Sequence, residues 1–416
     1  MLQKFKKIDA FTKNIAVVFV GTSLTNFFNL LYQLLIAHRF SASDFAAFNS
    51  LLSIFLLASS PLSTIQIAVA KYCAEFKAKG QIGKLKFLLS DLFRRTLILA
   101  LATAIIFWVI STYILTALKI SSLFSGYILA LLLALMWVSP VLTGGAQGLE
   151  FFGWLTNATV ISGALKLGLA FIFVFLGYNI AGALGALLVS SLISLVIFYF
   201  PLRPFISLKI KESEINYGEM LTYLLPVAIS YFCFTALVNT DMVLVKRYFL
   251  PEDAGLYSLA QMVGKIFLFL PGAISIVMLP RTSGLNAKNE NTLSTIKKSL
   301  FYALGLCLIT ALFYNFFPAF VLRVLTGKAY PASVLLGRMF SLSMTFFALL
   351  FILIYYFLSV KDLRFIKYLV FLTLLQFLGI ILFHQSLIGV QLILCINAIL
   401  LFLIHLQLLY KGTVPK

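Results

Sequence analysis

Long runs of apolar residues fill this chain of 416 residues and leave little sequence for loops. A helix that crosses the roughly 30 Å hydrocarbon core of a bilayer needs about 20 mostly apolar residues, and its backbone groups must satisfy one another. Twelve stretches meet this requirement. The sequence therefore predicts an all-α polytopic membrane protein. The predicted spans are 15–36, 46–69, 96–118, 125–147, 153–176, 180–200, 220–245, 254–279, 298–322, 333–358, 365–383 and 386–409.

The composition agrees with a membrane protein rather than a soluble one. Hydrophobic residues make up 62% of the chain and charged residues only 11%, outside the usual range of globular domains. A formal net charge of +19 would suggest nucleic acid in a soluble protein. Here the basic residues fall mainly in loops, where they meet anionic lipid headgroups, and no solvated stretch interleaves them with aromatic residues. We therefore expect membrane lipids, and no nucleic acid, as partners.

Lysine and arginine residues indicate the orientation of the chain. With the N-terminus inside, 23 of the 32 basic residues lie on the inner side and seven on the outer side, as the positive-inside rule requires. Both termini are therefore predicted to be cytoplasmic. Two lysines, Lys166 and Lys265, lie at membrane depth. The outer seven are Arg39, Lys119, Lys246, Arg247, Arg323, Lys328 and Arg338.

Cysteine and histidine patterns offer no catalytic or metal chemistry. The four cysteines are scattered without a CxxC pair, and the three histidines match no HExxH spacing. We expect no metal site, no resident cofactor and no nucleotide hydrolysis. A membrane-embedded glycosyltransferase or polymerase would need an outer catalytic platform, whereas the outer connections are short and their only carboxylates are Asp44, Glu252 and Asp253. The sequence therefore does not favour an enzyme.

The chain contains a weak internal repeat. A shift of 209 residues places RFSASDFAAFNSLLSIFLLASSP, residues 39–61, over YFLPEDAGLYSLAQMVGKIFLFL, residues 248–270, so that Asn49 aligns with Ser258. Because 209 residues carry six spans, an even number, the two halves share one orientation and would be parallel repeats. We predict two six-helix lobes, residues 1–211 and 212–416.

Two stretches resemble a known family. FSASDFAAFNSLLSIFLLASSPLSTIQIAVAKYCAEFKAKG, residues 40–80, is similar to the second-helix region of Wzx-type polysaccharide and O-antigen flippases, within the multidrug/oligosaccharidyl-lipid/polysaccharide (MOP) exporter superfamily. Residues 222–284 resemble that family's seventh and eighth helices, with a typical spacing of Pro226, Asp241, Gly255, Tyr257 and Pro280.

This resemblance implies two lobes around a central lumen that opens alternately to the two sides. The implied cargo is an oligosaccharide on polyprenyl (undecaprenyl) pyrophosphate, carried to the outer leaflet of a bacterial inner membrane. Other proteins of glycan assembly are further candidate partners. Multidrug exporters of the MATE branch share the twelve-helix plan and are the alternative.

Three predicted helices carry narrow polar stripes at i, i+3, i+7 spacing, which places each set on one helix face. An ammonium at the centre of a membrane helix costs about 2.5 to 3.5 kcal/mol on insertion scales, so it should face water, a partner or a substrate. Hydrogen bonding between helices is the other explanation for the neutral members. The stripes are Asn26, Asn29 and Gln33; Thr159, Ser162 and Lys166; and Ser258, Gln261 and Lys265.

The expected cargo gives these cations a role, because a pyrophosphate headgroup needs a path with cationic and hydrogen-bonding walls. We predict that the three stripes bind the headgroup. Arg338 either extends the path or extends its side chain to the interface. Asp241 is the only carboxylate inside a predicted span. It pairs with a basic side chain of its lobe, binds a coupling proton or sodium ion, or belongs to the outer interface.

Overall fold

The computed structural model describes residues 10–206, 217–287 and 290–413, and within these ranges the chain forms helices and no strand. The all-α prediction is therefore confirmed. The α-helices are α1 Ala10–Arg39, α2 Ala42–Ser59, α3 Ser63–Ala78, α4 Ile82–Ala117, α5 Leu123–Gly148, α6 Phe152–Phe175, α7 Asn179–Leu202, α8 Tyr217–Tyr248, α9 Pro251–Ala287, α10 Leu293–Phe316, α11 Pro318–Thr326, α12 Pro331–Ser359, α13 Ile366–Leu382 and α14 Leu387–Thr413.

Ten helical segments of the described residues are long and apolar enough to cross a membrane, and α13 is apolar but shorter. The prediction of a multi-pass membrane protein is confirmed. The number of twelve spans stays a prediction.

The second predicted span, 46–69, lies within the candidate span Ala42–Ala78, but it is not one uninterrupted helix. The chain forms α2 and α3 instead, with a turn at residues 60–62. Pro61 has no N–H to donate and disfavours an uninterrupted helix. The turn is stabilised locally, since the Leu62 N–H donates to the Ser59 carbonyl over 3.1 Å and the Thr64 hydroxyl donates to the Pro61 carbonyl over 2.7 Å.

Two other spans differ from prediction in their ends. The third begins at Ile82 rather than 96, so much of the basic run Lys71–Arg95 lies in the first turns of α4. The ninth, predicted as 298–322, is divided at Phe317 into α10 and α11. Pro318 starts α11, where its missing N–H is tolerated, and Gly327 ends it in the left-handed conformation with φ 70°.

The chain divides into two compact units. Unit 1 comprises Met1–Arg39 and Ala58–Leu224, and unit 2 comprises Phe40–Leu57 and Leu225–Lys416. Most of α2 therefore belongs to unit 2, although it lies early in the chain. Inside unit 2 the Asn49 side-chain amide donates to the Ser258 hydroxyl over 2.8 Å. These two residues are the pair that the 209-residue repeat aligns. The lobes 1–211 and 212–416 stay a prediction.

Helix α5 is the buried centre of unit 1 and packs against α3, α4 and α7. Gly144 and Gly148 form a GxxxG pattern on the face that meets α3. A Cβ atom added to Gly144 would lie 2.6 Å from the Gln66 carbonyl oxygen, and one added to Gly148 would lie 2.4 Å from the Ala70 carbonyl oxygen. Only glycine allows this approach of two helix backbones, which supplies the van der Waals contact that holds membrane helices together.

Helix α12 is the corresponding centre of unit 2 and packs against α9, α10 and α14. Large rings fill this contact, and Phe340, Phe347, Phe357 and Tyr257 are all buried. Gly264 of α9 lies directly over Phe340 and Met344 of α12. The face of α9 that carries the predicted stripe is therefore positioned by close packing against α12.

Substituting Gly144 with valine should destabilise unit 1, because the new side chain would collide with the backbone of α3. Overpacking of this kind costs about 1 to 3 kcal/mol. Gly168→Val in α6 is the matched control, since a Cβ there meets nothing within 4 Å. The measurement is the Tm of both variants in detergent. Equal Tm values would contradict the proposed role of this contact.

Candidate functional site

In unit 1 the stripes of α1 and α6 meet at Lys166. The Lys166 ammonium donates a hydrogen bond to the Asn29 Oδ1 atom and lies 4.9 Å from the centre of the Tyr32 ring. The buried Tyr32 hydroxyl donates to the Ala183 carbonyl of α7 over 2.9 Å, which fixes the ring. The half-buried lysine is thus held by an amide and an aromatic face, both neutral. A cation is attracted to the negative face of such a ring.

The two hydroxyl members of these stripes donate to backbone carbonyls, and the two remaining amides are half-buried or exposed. The Ser162 hydroxyl donates to the Ser190 carbonyl of α7 over 3.1 Å, and the Thr159 hydroxyl donates to carbonyls of its own helix. Gln33 is half-buried and Asn26 is exposed. The structure therefore brings Asn29 and Lys166 together, and Ser162 serves as a hydrogen bond between helices.

In unit 2 a buried hydrogen-bond network surrounds Asp241 of α8. Its carboxylate accepts from the Tyr257 hydroxyl over 2.8 Å and from the Gln261 side-chain amide over 3.0 and 3.2 Å. The Tyr257 hydroxyl also lies 3.4 Å from Gln391 Oε1, and the Gln391 amide donates to the Ser343 hydroxyl over 2.8 Å. All five side chains are buried. This network joins α8, α9, α12 and α14 around one carboxylate.

Lys265 lies one turn beyond Gln261 on the same face of α9 and is half-buried. It interacts electrostatically with Asp241. In the part of the chain that the structure describes, the ion pairs closer than 4 Å lie elsewhere, so Lys265 and Asp241 do not form a direct salt bridge. Gln261, rather than Lys265, is the side chain on this face of α9 that donates directly to Asp241.

The remaining predicted residues lie apart from this network. The Ser258 hydroxyl accepts from Asn49, as described above. Arg338 is exposed on α12, and its charge acts on the Tyr314 hydroxyl of α10. The part played by Arg338 stays a prediction.

Sequence reasoning missed three polar residues of unit 2. Lys246, predicted to lie on the outer side, is only 1% exposed and has an interaction partner within the protein. Tyr257 and Gln391 complete the Asp241 network. Tyr257 precedes Gln261 by four residues and so shares its helix face, a signal that the i, i+4 spacing offers. Gln391 is a lone amide in an apolar span, whose position along the chain does not identify its partner.

Within the described ranges no group of three or more His, Cys, Asp or Glu side chains comes together. The charged groups Lys166 and Asp241 are surrounded by amides, hydroxyls and aromatic rings.

Comparison with known proteins identifies the family. Residues 11–286, more than half of the chain, match the family described as "Polysaccharide biosynthesis protein". The chain belongs to this family. No curated protein matches it significantly in sequence. The resemblance to polysaccharide flippases of the MOP superfamily is confirmed at the level of family and fold.

Solved structures show the same fold. A multidrug resistance MATE family transporter of the MOP superfamily, in an inward-facing conformation, has a TM-score of 0.75 at 15% identity, covering 96% of this chain and 100% of its own. The lipid II flippase MurJ has a TM-score of 0.71 at 17% identity, covering 95% and 87%. The MATE multidrug transporter DinF-BH has a TM-score of 0.67 at 15% identity, covering 96% and 94%. The chain therefore has the MOP fold.

Replacing Tyr257 with phenylalanine should destabilise unit 2, because it removes a hydrogen bond from the buried Asp241 carboxylate. Leaving a buried polar group short of a partner costs about 1 to 3 kcal/mol, and more for a charged one. Tyr113→Phe is the matched control, since Tyr113 is 73% exposed. Thermal unfolding in nanodiscs measures the difference. A Y257F protein as stable as Y113F would rule out the hydrogen bond as a stabilising contact.

Proposed function

We propose that the protein is a flippase that moves a polyprenyl-pyrophosphate-linked oligosaccharide from the cytoplasmic to the outer leaflet by alternating access. Membership of the polysaccharide biosynthesis family and the MOP fold support this proposal. O-antigen or another surface polysaccharide would be the product of the pathway that it serves.

The observation that carries the proposal is the pair of half-buried lysines, Lys166 in unit 1 and Lys265 in unit 2. Moving a charged headgroup through hydrocarbon unaided costs on the order of tens of kcal/mol by the Born argument. A lysine reduces this cost because it acts on phosphate as a mobile point charge, which favours release as well as binding. Among the described residues, the groups that contact Lys166 are neutral, so its charge is available to an anionic cargo.

The proposed cargo implies a location in the bacterial inner membrane, and the distribution of basic residues supports an orientation with both termini in the cytoplasm. This orientation would place the basic ends of α3 and α4 on the side where lipid-linked sugars are made. Membrane lipids, and other proteins that assemble the glycan, are the partners that we propose.

A cation-coupled multidrug exporter is the second candidate, and the likeness to MATE transporters favours it. Such a protein would be expected to offer an accessible carboxylate to a cationic drug. Asp241 is instead buried and accepts hydrogen bonds from Tyr257 and Gln261. The two half-buried lysines therefore favour an anionic cargo over a cationic one.

Removing either lysine charge should slow transport about 10- to 100-fold, since a hydrogen bond to a charged group contributes about 1.5 to 3 kcal/mol. Inverted membrane vesicles that contain a labelled lipid-linked oligosaccharide provide the assay. The rate at which its sugars become protected from an impermeant oxidant is measured for the native chain, Lys166→Met and Lys265→Met. Lys86→Met, in the exposed first turns of α4, is the matched control.

If protection of the sugars requires the protein but both lysine variants act at the native rate, the lysines contribute to packing and not to transport. No protein-dependent protection would contradict the flippase itself, and uptake of a rhodamine dye cation by the same vesicles would then favour the drug exporter. Protein amounts in the vesicles must be matched.

We further propose that Asp241 binds a coupling ion, either a proton or sodium. Asp241→Asn keeps the shape and much of the hydrogen bonding of the side chain but removes the charge that can bind a cation. Transport by this variant should no longer respond to an imposed proton or sodium gradient. Asp362→Asn is the control, because Asp362 lies in the connection after α12 and pairs with Arg364. An unchanged gradient response in D241N would contradict the coupling role.

A further inference from the structure

Four aromatic side chains of unit 2 form a cluster on two helices, which we call the aromatic patch: Tyr231 and Phe234 of α8, and Phe351 and Tyr355 of α12. The ring centres of Phe234 and Phe351 are 4.6 Å apart, and those of Phe351 and Tyr355 are 4.5 Å apart. The Tyr231 and Tyr355 rings meet edge to face at 5.8 Å. The four rings therefore form one continuous surface.

The aromatic patch lies on the sides of α8 and α12 that are opposite to exposed apolar residues of the same helices. On α8 the exposed residues Leu225 and Phe232 project opposite to Phe234, which shares its face with the buried Asp241. On α12 the exposed residues Leu335 and Leu342 project opposite to Phe351.

The patch side of α12 also carries Phe340 and Met344, which pack on α9. All four rings of the aromatic patch are nevertheless only half-buried. The four rings are therefore accessible to a ligand on helix faces that lie opposite to the most exposed apolar residues.

The aromatic patch also carries hydrogen-bonding groups. The Tyr231 and Tyr355 hydroxyl oxygens are 2.5 Å apart and share one hydrogen bond. Each hydroxyl has one hydrogen and two lone pairs, so the pair retains one hydrogen and several lone pairs. The result is an apolar aromatic surface with a polar edge.

We propose that the aromatic patch binds the sugar rings of the cargo, while the lysines bind its pyrophosphate. A pyranose ring has a face of C–H groups and a rim of hydroxyls. The C–H groups carry weak positive charge and so pack against the negative face of an aromatic ring, while the rim can hydrogen-bond to tyrosine. The patch presents both kinds of contact side by side. This inference rests on the proposed function, which it extends to the glycan.

A planar organic cation is the other ligand that aromatic rings attract. The half-buried Lys265 of the same unit repels an organic cation, and the buried Asp241 is not exposed to a ligand of that size as it would be to a proton or a sodium ion. A neutral sugar attached to an anionic lipid meets no such repulsion. The charges of unit 2 therefore favour the glycan.

Binding to the purified protein in nanodiscs tests the inference with three probes: undecaprenyl pyrophosphate, the same lipid carrying its oligosaccharide, and a rhodamine dye cation. Phe351→Leu removes one aromatic face and nearly conserves volume. Tyr355→Phe keeps the ring and removes the hydroxyl. Phe371→Leu is the matched control, because Phe371 is 64% exposed on α13.

The native protein should bind the glycan-bearing lipid more tightly than the sugar-free lipid. Phe351→Leu should weaken the affinity for the glycan-bearing lipid about five- to tenfold, the scale of a single aromatic contact. It should leave the affinity for the sugar-free lipid unchanged. Tyr355→Phe should likewise weaken the affinity for the glycan-bearing lipid. Phe371→Leu should change neither affinity.

If Phe351→Leu weakens the affinity for both lipids equally, the aromatic patch has a packing role and the inference is overturned. Native affinity of that variant for the glycan-bearing lipid would overturn it as well. Loss of binding of the rhodamine dye alone would overturn it in favour of a cation site. If the sugar-free lipid binds and the glycan adds no affinity, the glycan-binding role of the aromatic patch is contradicted while the proposed flippase function is not. If neither lipid binds, the proposed function fails as well.

Discussion

A charge placed among apolar helices must be solvated by the protein itself, and this requirement organises both units. In unit 1, Asn29 and Tyr32 solvate the Lys166 ammonium and so hold α1 against α6. In unit 2, Tyr257 and Gln261 solvate the Asp241 carboxylate and hold α9 against α8. Because an unsatisfied charge in a membrane interior is costly, these contacts decide which helix faces can meet. Apolar packing then fills the space around them.

Backbone constraints set the second level of the architecture. Gly144 and Gly148 let α5 approach the backbone of α3, where lipid offers no hydrophobic drive for association. Pro61 separates α3 from α2, so that α3 can pack on α5 while most of α2 belongs to unit 2. The sequence 42–78 therefore contributes to both units, with the division between Leu57 and Ala58, just before the turn.

Periodicity in the sequence predicts helices and the faces of helices, and this covers much of the fold. It places Asn29 and Lys166 each on a polar stripe, because residues three and seven apart share a face. It does not say which stripe meets which, since that depends on packing between distant helices. The burial of Lys246 escapes prediction for the same reason: nothing in its local sequence distinguishes a buried lysine from an interfacial one. The aromatic patch is a further example, because its two halves lie about 120 residues apart in sequence and neither half alone differs from ordinary aromatic packing.

The two lysines are not equivalent, and the difference bears on how an anionic headgroup would be handled. Lys166 is held by neutral partners. A phosphate that displaces the Asn29 amide and the Tyr32 ring would therefore interact with the full charge of its ammonium. Lys265 acts within the field of Asp241, which reduces its attraction for an anion. Neutralising Asp241 with a bound cation would restore that attraction. The affinity of unit 2 for a phosphate and its affinity for a coupling cation would then rise together, because each charge compensates the other.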